Sequence, residues 1–124
     1  MKILKGKLLN RYENRIINFH LSLLPAFPGL GAIDQVLDAN ALLLGNTAHF
    51  IDKNIDAGPV IMQSLFSSRK FTEHNDVLNM QIFMLKQIIN WLLEGRVQIT
   101  GYNVCIKDAD YSIGEYIPSL EFNV

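Results

Sequence analysis

Cysteine is nearly absent from the sequence: Cys105 stands alone among 124 residues, so neither an internal disulfide nor a cysteine zinc cluster can form. That excludes a disulfide-stapled secreted mini-domain and makes a reducing, cytoplasmic setting the expectation. Charge of one sign is also lacking. Lys and Arg number 11 against 12 Asp and Glu, for a net charge of −1. This is too little for the long-range attraction that draws basic proteins onto nucleic acid or anionic lipid, so neither is expected as a partner. No window approaches the ~20 apolar residues of a membrane-spanning helix, and the opening MKILKGKLLNRYENR contains no apolar run of signal-peptide length. No repeat, charge block or Ser/Pro/Gly linker divides the chain.

What is present suits one buried core. Hydrophobic residues make up 49% of the chain and charged residues 19%, with a mean hydropathy of +0.16. Two independent cores would leave about 60 residues for each, which is marginal, so residues 1–124 are expected to be a single domain. Along the chain, GKLLNRYEN (6–14) has the spacing of a short surface helix, and RIINFH (15–20) is a β-branched and aromatic strand. It feeds a loop that Pro25, Pro28 and Gly29 keep out of regular structure. AIDQVLDANALLLG (32–45) predicts a helix stopped by Gly45. Strands follow over 46–52 and 60–67, forming a hairpin-like pair about the turn from Asn54 to Pro59. The segment 75–94 is long, free of internal Gly and Pro, apolar all round and stopped by Gly95, which predicts a helix. A weaker strand spans about 97–106, and the tail from Ile117 is expected to be irregular. The element order predicts an α/β layer, and the uncovered sheet face it leaves suggests that something precedes Met1 in the complete protein.

Alternation along a strand places Asn18 and His20 on the same face at the carboxyl end of the first strand, where open α/β sheets bind ligands. An amide beside an imidazole supplies a donor for a developing oxyanion and a group that moves protons near neutral pH. Asp56, in the turn after the second strand, is the candidate carboxylate to favour the charged imidazole. Composition alone leaves structural roles for these residues open. His20, His49 and Asp56 could supply metal ligands, but their separations match no compact motif and no metal is expected. His74 reads as a solvated residue, and nothing near Cys105 suggests an activated thiol.

The run from Asn18 to Gly29, NFHLSLLPAFPG, resembles the N-x-H-P-S-L-L-P-x-x-P-G signature of the folate-dependent formyltransferases. Gly45 to Asp52 and Ile55 to Gln63 resemble that family's second block, G-x-T-x-H followed by D-x-G-x-x-I-x-Q. The likeness is strongest to the glycinamide ribonucleotide branch and continues to about Gly95. It implies a partial, open three-layer α/β sheet, the carboxyl-terminal half of the family's Rossmann-like domain. It also implies transfer of a formyl group from 10-formyltetrahydrofolate to an amine of the phosphoribosylglycinamide or amino-sugar type. Carried over by position, Asn18 and His20 would bond the formyl oxygen, and Asp56 would sustain the charged His20 and help move a proton through water. Leu4, Leu9 and Ile16, with the backbone from Ile51 through Asp52 to Asp56, would form the pterin pocket.

Two departures bear on the reaction. Leu21 replaces the signature's Pro, and the stretch from Gln81 to Gln87 holds no carboxylate where the purine branch has a Glu for its substrate. Nothing resembles the Gly-rich phosphate-binding half. Two alternatives therefore stand beside formyl transfer: hydrolysis of formyltetrahydrofolate, and a non-catalytic remnant that binds folate or oligomerises. Self-association through the region from Met1 to Phe19, or pairing with a separately supplied amino-terminal half, is expected.

Overall fold

A computed structural model describes residues 16–28, 30–51, 58–71 and 73–123. The elements are β1 (Ile17–His20), α1 (Ala32–Asp38), β2 (Leu43–Phe50), β3 (Val60–Ser67), a 3-10 turn (Ser68–Lys70), α2 (His74–Leu93), β4 (Val97–Thr100), β5 (Asn103–Ile106) and β6 (Tyr116–Ile117). The expected helix over 6–14 lies outside the described residues.

The mixed α/β class is borne out. Four strands form one sheet in the order β1-β2-β3-β6, antiparallel at every pairing. The expected pair formed by β2 and β3 is its centre, aligned from Leu43 opposite Ser67 to Ala48 opposite Met62, with a register shift between Ala48 and His49. Alternation gives β2 two different faces. Ala48 and Phe50 meet Met62 of β3 and Met84, Ile88 and Trp91 of α2 in one buried cluster, closed by Ile106 from β5. Each Ile, Met or Phe side chain so buried contributes about 1.5–3 kcal/mol. A second cluster joins Ile33 and Val36 of α1 to Leu44 and Val77. Helix α2 is fastened to this sheet face by polar contacts too. Asn46 Nδ2 donates to Ser64 Oγ at 3.0 Å and to the Val77 carbonyl at 2.9 Å, and Gln81 Nε2 donates to Asn46 Oδ1 at 2.9 Å.

The ends of α2 follow from local chemistry. Glu73 and Asp76 cap each other's backbone N–H groups at the start. At the other end Gly95, at φ +68°, adopts the left-handed conformation that closes a helix, and Arg96 N–H donates to the Trp91 carbonyl at 2.9 Å. The same device corrects the expectation for 32–45. Asn40, at φ +56°, ends α1, with Ala41 N–H donating to the Val36 carbonyl. Helix α1 therefore stops at Asp38, and Leu43 and Leu44 belong to β2.

The expected single strand over 97–106 is instead a hairpin of β4 and β5. Gly101, at φ +60°, turns the chain between Thr100 and Asn103. Tyr116 and Ile117 pair with Ser64 and Gln63 as a short edge strand, so the expected irregular tail is regular at its first residue, Ile117.

Candidate active site

β1 lies along β2 in a register that stacks three residue pairs by alternation on one face: Ile16 with Ile51, Asn18 with His49, and His20 with Thr47. Ile51 N–H donates to the Ile16 carbonyl at 2.8 Å, extending the ladder one step beyond β1. Asn18 Nδ2 lies 3.3 Å from His49 Nε2, and His49 Nδ1 lies 3.0 Å from the Phe50 carbonyl. One proton arrangement with a neutral ring satisfies both contacts. Nδ1–H donates to Phe50, and Nε2 accepts from the Asn18 amide. His49 is only 2% exposed, so its ring is fixed, and through it the orientation of the amide.

His20 is 6% exposed, and its Nε2 lies 2.9 Å from the Phe27 carbonyl. A carbonyl only accepts, so Nε2 carries a proton. Phe27 sits at φ +52°, a left-handed conformation rare for an aromatic residue, and the loop holds it there. The loop's order comes from β2 and β3. Thr47 Oγ1 donates to the Ser22 carbonyl at 2.7 Å while accepting from Leu24 N–H at 3.0 Å and from Gln63 Nε2 at 2.9 Å. Gln63 Nε2 also donates to the Leu24 carbonyl at 3.1 Å, and Ser22 Oγ donates to the Ala26 carbonyl at 2.8 Å. The departure at Leu21 thus falls in a loop held by side-chain hydrogen bonds. Asn18, His20, Leu21, Leu30 and Gly31 line a cleft of about 360 Å³.

Of the sequence-derived site residues, Asn18, His20, Ile16 and Ile51 are brought together on adjoining strands. Leu4, Leu9, Asp52 and Asp56 lie outside the described residues. The sequence offers His49 as the histidine of the second block and as a possible metal ligand, and the structure makes it the partner of Asn18. Its position two residues after Thr47 carried that signal, but the register of β1 on β2 was needed to read it. His74 is exposed and meets Phe71 edge-on, with ring centroids 5.6 Å apart. Gln81, in the stretch without a carboxylate, is committed to Asn46. Among the described residues no group of three or more His, Cys, Asp or Glu could hold a metal ion, and no helix is long and apolar enough to cross a membrane.

An amide and an imidazole held beside a cleft at the end of a strand agree with what comparison finds: residues 1–82 match the Formyl transferase family, and the chain belongs to it. It is 34% identical over 103 residues to the phosphoribosylglycinamide formyltransferase of Bacillus subtilis, covering 83% of this chain and 51% of that protein. It is 42% identical over 67 residues to the formyltetrahydrofolate deformylase of Haemophilus influenzae, covering 54% of this chain and 24% of that protein. The crystal structure of glycinamide ribonucleotide transformylase 1 from Symbiobacterium toebii matches with a TM-score of 0.79 at 35% identity, covering 87% of this chain and 53% of that one. A formyltetrahydrofolate deformylase from Pseudomonas syringae matches with a TM-score of 0.69 at 28% identity, covering 87% and 38%. The chain spans about half the length of the formyltransferases it matches. The family's formyl donor is 10-formyltetrahydrofolate.

Proposed function

We propose that this chain carries the folate-binding and chemical portion of a site that transfers a formyl group from 10-formyltetrahydrofolate to an amine of the phosphoribosylglycinamide type. The observation that carries the reading is the Asn18 amide, fixed by His49 and set beside His20 at the cleft. The neighbouring aliphatic pair, Ile16 and Ile51, suits the flat pterin ring of a folate, with Leu4, Leu9 and the segment from Asp52 to Asp56 completing the pocket.

In the reaction the amine nitrogen adds to the formyl carbon, forming a C–N bond as the carbonyl electron pair moves onto oxygen. Asn18 Nδ2 and the charged His20 ring donate to that oxyanion, and Asp56 favours the charged ring. The added amine nitrogen gives up one proton, which travels through water and His20 to the folate nitrogen as collapse of the oxyanion breaks the bond between that nitrogen and the formyl carbon. Asp56 assists that transfer. Preorganised donors of this kind are commonly worth ~10²–10³ in rate each. The phosphate and the rest of the acceptor would be held by the nucleotide-binding-like half that this sequence does not resemble.

Titration with a 10-formyl-folate analogue tests the folate reading. Saturable binding that weakens in Leu4→Asp or Asp56→Asn supports it, and no binding at millimolar analogue removes it, leaving the oligomerising remnant. Asn18→Ala should lower turnover by about 10²-fold in a complete enzyme while changing folate affinity little, because its bond strengthens as the oxyanion forms. Equal losses in both would reassign Asn18 to ground-state binding. Hydrolysis is the second reading, favoured by Gln81 in a helix stretch without a carboxylate. Formate released at the same rate with and without amines would establish water as the acceptor.

A further inference from the structure

Helix α2 is apolar on two faces, and the sheet uses one of them. Val77, Met80, Met84, Ile88 and Trp91 are buried. Roughly 120° around the axis, at about 100° per residue, a second stripe runs through Leu78, Ile82, Leu85, Ile89 and Leu92, with Leu93 at its end. These residues stay exposed, from 37% for Leu78 to 81% for Leu93. A helix that is hydrophobic all round normally has both faces covered. The spacing is more specific than that: steps of four, three, four and three residues form the seam by which two helices pair at a mean repeat of about 3.5.

We propose that this stripe is the surface through which two copies of the chain associate, with the two α2 helices packed antiparallel about Leu85. Three observations select a second copy. The six residues keep 37–81% of their surface accessible, so full occlusion of both stripes would bury on the order of 1,000 Å², the size at which a specific interface begins. No charged side chain interrupts the stripe. The one charge between Leu78 and Leu92 is Lys86, whose Nζ lies over the Phe122 ring, 4.9 Å from its centroid. A seam free of charge matches the depleted centre of protein interfaces. The heptad spacing is self-complementary, so a twofold pairing brings like stripe to like stripe without a separate partner. Antiparallel packing opposes the helix dipoles and keeps the acidic first turn, with Glu73 and Asp76, away from its own copy. This inference stands apart from the folate reading, since none of the six residues lines the cleft beside His20.

Sedimentation of the full chain at tens of micromolar should give twice the 14.1 kDa of one chain. The double variant Ile82→Glu, Ile89→Glu should sediment as a monomer with an unchanged far-ultraviolet spectrum. In a Cys105→Ser background, Leu85→Cys should form a disulfide with its own copy under mild oxidation, whereas Leu78→Cys should not. A monomeric parent chain would mean that something other than a second copy covers the stripe and would overturn the proposal. So would a dimer indifferent to the two glutamates, or cross-linking at Leu78 without cross-linking at Leu85.

Discussion

At the scale of single residues, the candidate site depends on side chains that hold other side chains. His49 is the clearest case, because a neutral ring fixed at Nδ1 leaves one lone pair to aim the Asn18 amide. In a complete enzyme His49→Phe should keep an aromatic ring but lose that alignment, lowering kcat roughly 10–100-fold with KM for the folate nearly unchanged. His49→Gln, which retains an acceptor, should recover part of the loss. A role in packing alone predicts no split between kcat and KM and no recovery. Thr47 acts one step further out. Replacing it with Val keeps the shape but leaves Leu24 N–H, the Ser22 carbonyl and one contact of Gln63 without their partner. Stability should fall by about 2–3 kcal/mol, read as a lower urea midpoint at constant slope.

At the scale of elements, close approach decides what the strands tolerate. Gly45 lies where β2 passes between β3 and the loop, and a Cβ there would fall 2.6 Å from Leu23 Cδ2 and closer still to the Ser64 carbonyl. Gly45→Ala should cost about 1–3 kcal/mol or more and loosen the loop that carries Phe27, seen as lower amide protection at Leu24 and Ala26. The same glycine shows where the sequence was legible and where it was not. Long periodic segments such as α2 and β3 declared themselves, because many residues share one pattern. The run Leu42-Leu43-Leu44-Gly45 did not, since a short apolar run suits helix and strand equally. The real helix stop was the left-handed Asn40. Asn18 and His20 could be found by motif and alternation. Their pairing with His49 and Thr47 depends on strand register, which no local window contains.

At the scale of the whole molecule, Arg96 ties distant parts together. Its backbone closes α2, its carbonyl accepts from Lys107 N–H, its Nε donates to the Lys107 carbonyl, and its guanidinium grips Glu121 at 2.6 and 2.8 Å. That hydrogen-bonded pairing holds the Glu121 carboxyl below its ordinary pKa and raises that of Arg96. The sign follows: a carboxylate favoured in the folded state stabilises above the unfolded pKa, and the contribution disappears as pH falls through the folded one. Glu121→Gln should therefore lower the melting temperature modestly near neutrality, with the difference from the parent closing as pH falls through and below the usual carboxylate range. An identical acid limb in both proteins would remove the pair from the acid response.

The docking of this tail also bears on kinetics. β6 pairs with β3 across a long stretch of chain, Leu65 N–H donates to the Glu115 carbonyl at 2.8 Å, and Gln87 Oε1 accepts from Glu121 N–H at 2.6 Å. Contacts of such sequence separation pay their loop-closure entropy before they return any energy, which places them after the rate-limiting barrier to folding. Gln87→Ala should then accelerate unfolding while leaving refolding almost untouched, so that only the high-denaturant limb of the chevron rises. The tail would act as a latch on the lifetime of the folded chain, with little influence on how fast that chain forms.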